Sequence, residues 1–264
     1  MRSRAKKRYG QHFLEPAWAD KLVAAIDPSP ADRFLEIGPG PGALTLRLAP
    51  RVAHVTAVEV DDDMVAALGP KLPANVTLLH QDFLDLDLRS VSAGDDGLRV
   101  AGNLPYNVTS PILFRLLAAS RDGVRLKDAT LMVQLEVAER IESAPGTRDY
   151  GTLSIFVQLR ARVRRLLTLP PGAFRPAPKV HSAVLRLDFH DVVVPMRDEA
   201  AFEALVRSIF TQRRKTLANA LSRFAAARGL AAREAVARAG LDGTRRPETL
   251  QLTELARLAD VFAS

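Results

Sequence analysis

The chain contains no cysteine, which excludes disulfides, thiolate metal sites and cysteine nucleophiles. That composition fits a cytoplasmic protein. No apolar run approaches the roughly 18 residues that a bilayer-spanning helix needs, so no membrane partner is expected. The basic N-terminus has no apolar segment behind it, and no signal peptide is expected. A transit peptide would need a longer leader than the few residues before Tyr9. His54, His80, His181 and His190 lack metal-ligand spacing, so no metal site is expected. No Ser/His/Asp arrangement is visible either.

Acid is missing from two stretches. Residues 1–14 carry Arg2, Arg4, Lys6, Lys7 and Arg8 with no acid before Glu15. Residues 159–187 carry Arg160, Arg162, Arg164, Arg165, Arg175, Lys179 and Arg186, again with no acid. The formal net charge is +7, so the remainder of the chain is net acidic. Cations gathered in two blocks suit a face that meets a polyanion. A solvated tail plus one basic strand would give the same pattern.

The 264 residues, 47% of them apolar, suffice for one large domain and a small appendage. Short apolar runs at 33–37, 54–60, 75–79, 98–102 and 129–135 read as strands. Helical segments are expected near 43–49 and 64–68, from about Ser110, and through Ile141. Strands alternating with helices predict a parallel sheet covered on both faces. The rhythm then changes. Residues 163–169 and 180–189 both read as strands, joined by a turn rich in proline and glycine, and are expected to pair antiparallel. Residues 198–264 read as three or four helices, with a boundary at 189–197. Trp18 reads as core.

Glycine-rich Gly38-Pro39-Gly40-Pro41-Gly42 follows the first of these strands. Gly38 and Gly40 there would let a ligand approach the backbone at the carboxyl end of the sheet. Gly38, Gly40 and Ala43 also satisfy a dinucleotide fingerprint. Glu59 ends the next strand and can accept both hydroxyls of a ribose. Asp82 ends the third and can accept from the amino group of an adenine, or simply cap a turn. A nucleoside site is expected, with nicotinamide and sulfonium cofactors both open.

Asn103-Leu104-Pro105-Tyr106 separates the two. The N6 nitrogen of adenine is a poor nucleophile because its lone pair is delocalised into the ring. The Asn103 amide oxygen and the Leu104 carbonyl could accept its two hydrogens and aim the lone pair at a methyl group. Pro105 restricts Leu104 to an extended conformation. Tyr106 offers a flat face to the base. Phe174 is a candidate for the base's other face, or a plug under its loop; stacking on an aromatic is worth roughly 1–3 kcal/mol. A sulfonium methyl is already activated, so positioning and preorganised dipoles would suffice.

Together these motifs resemble the ribosomal RNA adenine N6,N6-dimethyltransferase family. The matching pieces run in order: Tyr9 to Leu14, the glycine loop, Glu59, Gln81-Asp82, Asn103 to Tyr106, and Phe174 to Val180. Phe210 to Leu217 with Asn219, Lys179 to Val184, and Arg246-Pro247-Glu248 resemble the branch that dimethylates two adjacent adenosines near the 3′ end of small-subunit (16S) ribosomal RNA. His181 departs from the aspartate expected there.

The resemblance implies a Rossmann-like class I S-adenosylmethionine-dependent methyltransferase. It implies a mostly parallel seven-stranded sheet over residues 1–190 and a small all-α RNA-binding domain over 191–264. It assigns cofactor contacts to His12, Leu14, Gly38, Glu59, Asp82 and Asn103, the first two as a lid. It places Arg213, Arg214 and Lys215 against ribosomal RNA, and Arg175 and Lys179 are further candidate RNA contacts. A monomer acting on the small subunit is expected. The alternatives are a large-subunit methyltransferase conferring macrolide resistance, a non-catalytic assembly factor, and a nicotinamide oxidoreductase.

Overall fold

The computed structural model describes residues 12–91, 97–192 and 194–263. Tyr9, Gly10, Gln11 and the cations Arg2 to Arg8 lie outside the described residues. The chain forms two compact units. The first comprises residues 1–138 and 161–190, the second 139–160 and 191–264.

In the first unit β1 (Phe13–Leu14) leads into α1 (Pro16–Ile26). Pro16 stands in the first turn, where its missing N–H costs nothing. There follow β2 (Arg33–Ile37), α2 (Thr45–Leu48), β3 (His54–Glu59), α3 (Asp62–Leu68), β4 (Val76–His80), β5 (Leu98–Asn103), α4 (Thr109–Arg121) and β6 (Leu126–Gln134). The chain enters α5 (Leu135–Glu142) and α6 (Thr152–Arg160), then returns as β7 (Ala161–Leu169), β8 (Phe174–Arg175) and β9 (Ser182–Phe189). The helix expected from Ala43 is shorter than its apolar pattern. It begins at Thr45 and tightens to a 3₁₀ turn at Ala49–Arg51, around Pro50.

Seven strands lie in the order β4-β3-β2-β5-β6-β9-β7. β2 to β6 are parallel. β9 runs against both neighbours, so β7 and β9 pair antiparallel as their short connection requires. The inner strands are apolar on both faces: β2, β3 and β5 are almost wholly buried, as helix-covered parallel strands must be. This is the Rossmann-like class I methyltransferase fold. From β2 the chain steps outward through β3 and β4, then crosses back to β5. The strand order therefore reverses between β2 and β5, and a ligand crevice belongs at their carboxyl ends.

At the opposite end of the sheet lies a buried ionic ladder. Arg99 on β5, 2% exposed, reaches Asp128 on β6 at 2.9 Å and Asp32 at 2.5 Å. It also donates to the carbonyls of Ile26 and Asp27. Arg186 on β9 binds the same Asp128 oxygen at 2.7 Å, and Asp188 at 3.0 Å.

In the second unit, residues 139–160 join α7 (Glu199–Phe210), α8 (Leu217–Ala226), α9 (Ala232–Arg238) and α10 (Leu252–Asp260). Arg160 is clamped by the Glu199 carboxylate. Phe156 stacks edge-on against Phe202, and the Tyr150 hydroxyl donates to the Leu250 carbonyl. Gly146 N–H donates to the Glu248 carbonyl. The sequence placed this excursion in the first domain. Its side chains pack with the later helices instead. Among the described residues no helix is long and apolar enough to cross a membrane.

Candidate active site

A cavity of about 330 Å³ opens at the switch point, and every described residue that lines it belongs to the first unit. The loop after β2 shapes one wall. Gly38 has φ +66°, and nothing stands within 4 Å of where its Cβ would be. Gly40 has φ +54° and lies 3.3 Å from the Phe13 ring by the same measure. Both backbones are left-handed, a conformation glycine adopts without cost. The Gly40 N–H donates to Glu59 Oε2 at 3.0 Å.

Glu59, at the end of β3, is buried. Its Oε1 accepts the N–H groups of Val60 and Asp61, each at 3.0 Å. A carboxylate has about four acceptor sites, and the backbone fills three of them. One ribose hydroxyl fits the remaining site on Oε2. A second would have to share with the Gly40 amide.

Glu36 faces the same cavity and was not among the sequence candidates. It is 2% exposed, and its Oε2 has no hydrogen-bond partner among the described residues. Burial pushes its carboxyl up to about 7; Thr45 opposes the rise and the Glu59 charge adds to it. An acid inside the apolar run of β2 was the signal that could have found it. An orphaned buried acceptor beside a second carboxylate suits a cationic ligand. With the open approach to Gly38, the cavity fits S-adenosylmethionine. Asp82 lines the cavity while one of its oxygens accepts the Leu84 N–H at 2.9 Å. The turn cap and the cavity-facing position coexist.

β5 ends at Asn103. Its Nδ2 donates to the His12 carbonyl at 2.7 Å, leaving Oδ1 as the acceptor. The Leu104 N–H is held by the Met132 carbonyl at 3.1 Å. The Pro105 carbonyl accepts from the Val108 N–H and the Thr109 hydroxyl. Tyr106 is half-buried. The His12 imidazole stacks on its ring, centroids 5.4 Å apart and planes 26° from parallel. His12 Nδ1 lies 2.7 Å from the Pro176 carbonyl. β1 pairs antiparallel with β8, Phe13 opposite Arg175 and Leu14 opposite Phe174. His12, Leu14, Gly38, Gly40, Glu59, Asp82 and Asn103 to Tyr106 thus share one cavity.

A family model for ribosomal RNA adenine dimethylase matches residues 2–263. The ribosomal RNA small subunit methyltransferase A of Pseudomonas fluorescens is 42% identical over 264 residues, covering 98% of this chain and 94% of that protein. The chain belongs to the ribosomal RNA adenine dimethylase family. The protein of the same name from Acinetobacter baylyi is 41% identical, covering 97% of this chain and 92% of that protein. Among solved structures, the 23S rRNA methyltransferase ErmE matches with a TM-score of 0.66 and 26% identity, covering 95% of this chain and 99% of its own. A dimethyladenosine transferase from Plasmodium falciparum matches with a TM-score of 0.77, 22% identity and coverages of 94% and 96%, a likeness of fold.

One sequence candidate falls outside the cavity. Phe174 does not line the cavity. It is 2% exposed and packs in the core with Leu14, Leu169 and Ala173. Pairing with β1 turns its side chain inward, so it is the plug under its loop. The ring that meets Tyr106 is His12, which sequence reasoning knew only through resemblance. Trp18 is partly buried at the margin of that core.

The candidate RNA contacts divide as well. Arg214 and Lys215 are exposed in the turn between α7 and α8. Arg213 is turned inward, donating to the carbonyls of Arg148 and Tyr150 at 2.9 and 3.2 Å. Lys179 is exposed. Arg175 is exposed but bonded to Glu15 at 2.5 Å.

Proposed function

We propose that this chain transfers methyl groups from S-adenosylmethionine to N6 of two adjacent adenosines near the 3′ end of small-subunit ribosomal RNA, giving N6,N6-dimethyladenosine and, for each methyl, one S-adenosylhomocysteine and one proton released from N6 to solvent. It acts as a cytoplasmic monomer on the small ribosomal subunit. The observation that carries this reading is the anchored Asn103 amide at the cavity. With Nδ2 committed to the His12 carbonyl, Oδ1 and the neighbouring Leu104 carbonyl are the acceptors left for an adenine amino group. The cofactor supplies an activated methyl group and needs no strong base. Glu59, Asp82 and the Gly38–Gly40 backbone would hold its nucleoside part, and Glu36 its cationic part. The two acceptors orient the nitrogen lone pair, and Tyr106 holds the base plane. Catalysis then rests on in-line positioning by groups fixed before substrate arrives.

Methyl transfer to isolated small and large subunits tests the reading. Label in small-subunit adenosine supports it. Label in the large subunit alone would move the chain to the macrolide-resistance branch. Particle binding without transfer would leave an assembly factor.

A further inference from the structure

Ser182 is the first residue of β9 and is fully buried. It lies opposite Gln134 of β6 and Leu169 of β7, hydrogen-bonded into strands on both sides. Its hydroxyl oxygen is 2.8 Å from the Tyr106 hydroxyl. Tyr106 is thus fixed at both ends. Its backbone follows Pro105, whose carbonyl is bound by Val108 and Thr109. Its ring tip is pinned to the sheet. His12 covers one ring face, so at most one face is left for a base. The phenol oxygen lies on the ring's long axis, so tying it fixes the direction of that axis, while the His12 stack restrains rotation about it.

We infer that Ser182 is a positioning residue for methyl transfer: its hydrogen bond to Tyr106 fixes the long axis of the ring on which the target adenine stacks. This rests on the proposed role of Tyr106. A phenylalanine at 106 would offer the same π surface, but its ring would lack the anchor. Small errors of tilt matter because the nitrogen must line up with the methyl group; a misplacement of about 1 Å can cost roughly 100-fold in rate. A half-buried tyrosine hydroxyl commonly finds some partner, so the test must separate positioning from ordinary satisfaction of a polar group.

The test is a double-mutant cycle in the full chain on small subunits, read as single-turnover transfer rate and, separately, as S-adenosylmethionine affinity. Ser182→Ala and Tyr106→Phe should each slow transfer roughly 10- to 100-fold, with cofactor affinity and thermal midpoint near wild type. The double variant should be no slower than either single one, because both remove the same bond. Full activity in Ser182→Ala overturns the inference. So do losses that multiply in the double variant, which would show Ser182 acting independently of the tyrosine. Tyr106→Ala separates the two levels. If it is inactive while Ser182→Ala is unimpaired, only the positioning inference fails; if it retains full activity, the role of Tyr106 fails with it.

Discussion

Asn103 carries two duties in one amide. Its nitrogen ties His12 to the end of β5, and its oxygen is the acceptor that the proposed mechanism offers to the substrate. Asn103→Ala removes both while taking away only a small polar group. Transfer should fall by about 100- to 1,000-fold, the usual loss for one preorganised dipole at a reacting centre. Circular dichroism should show an unchanged fold, and near-normal turnover would sink the mechanism. Glu36 makes a different prediction, in pH. Its folded-state value of about 7 stands above the ordinary 4.5. A raised carboxyl contributes stability that is complete below about 4.5 and is lost as pH rises through about 7. Glu36→Gln stays neutral throughout. Without cofactor, its melting temperature relative to wild type should therefore climb between pH 5 and pH 8. A difference that does not change over that range would mean the Glu36 carboxyl titrates normally.

At the scale of elements, the parallel strands were legible because short β-branched and apolar runs punctuated by glycine and proline have few other solutions. The Asn103 to Tyr106 segment was legible because it falls at a strand end. α6 was not visible. Leu153, Ile155, Phe156, Val157 and Leu159 are buried around almost its whole circumference, so it carries no amphipathic period to read. The pairing of β1 with β8 was also hidden, since nothing local sets a register between segments so far apart. That pairing decides that Phe174 plugs the core and that His12 meets Tyr106. The ladder through β5, β6 and β9 was hidden for the same reason: Arg99, Asp128 and Arg186 become neighbours only through strand order. Its consequence is testable. Arg99→Met strips a buried cation from Asp32 and Asp128 and should cost about 3–5 kcal/mol, the loss typical of breaking a buried ionic group by removing one partner. Denaturant unfolding measures it; a loss below about 1 kcal/mol would mean the carboxylates are satisfied without the arginine.

For the whole molecule, the sequence overstated the positive field. The run 159–187 holds no acid, yet acids from elsewhere reach it. Arg160 meets Glu199, Arg164 meets Asp188, Arg175 meets Glu15, and Arg186 meets Asp128 and Asp188. A one-dimensional charge count cannot register such partners. The turn at 213–215 repeats the lesson within three residues, because Arg213 braces the chain at 148–150 while Arg214 and Lys215 stand exposed and form no ion pair among the described residues. These cations therefore separate by experiment. Arg213→Ala should lower stability, since it unties two backbone carbonyls. Arg214→Ala with Lys215→Ala should leave stability within about 0.5 kcal/mol of wild type. If both touch phosphates, the double variant should bind small subunits more weakly and less steeply with salt, the log–log slope falling by roughly 0.7–0.9 for each phosphate no longer neutralised. Cofactor affinity should hold, because every described residue lining the proposed cofactor cavity belongs to the first unit. An unaltered slope would make Arg214 and Lys215 a solvated turn and leave Lys179, Arg162 and the cations before Tyr9 to carry the RNA surface.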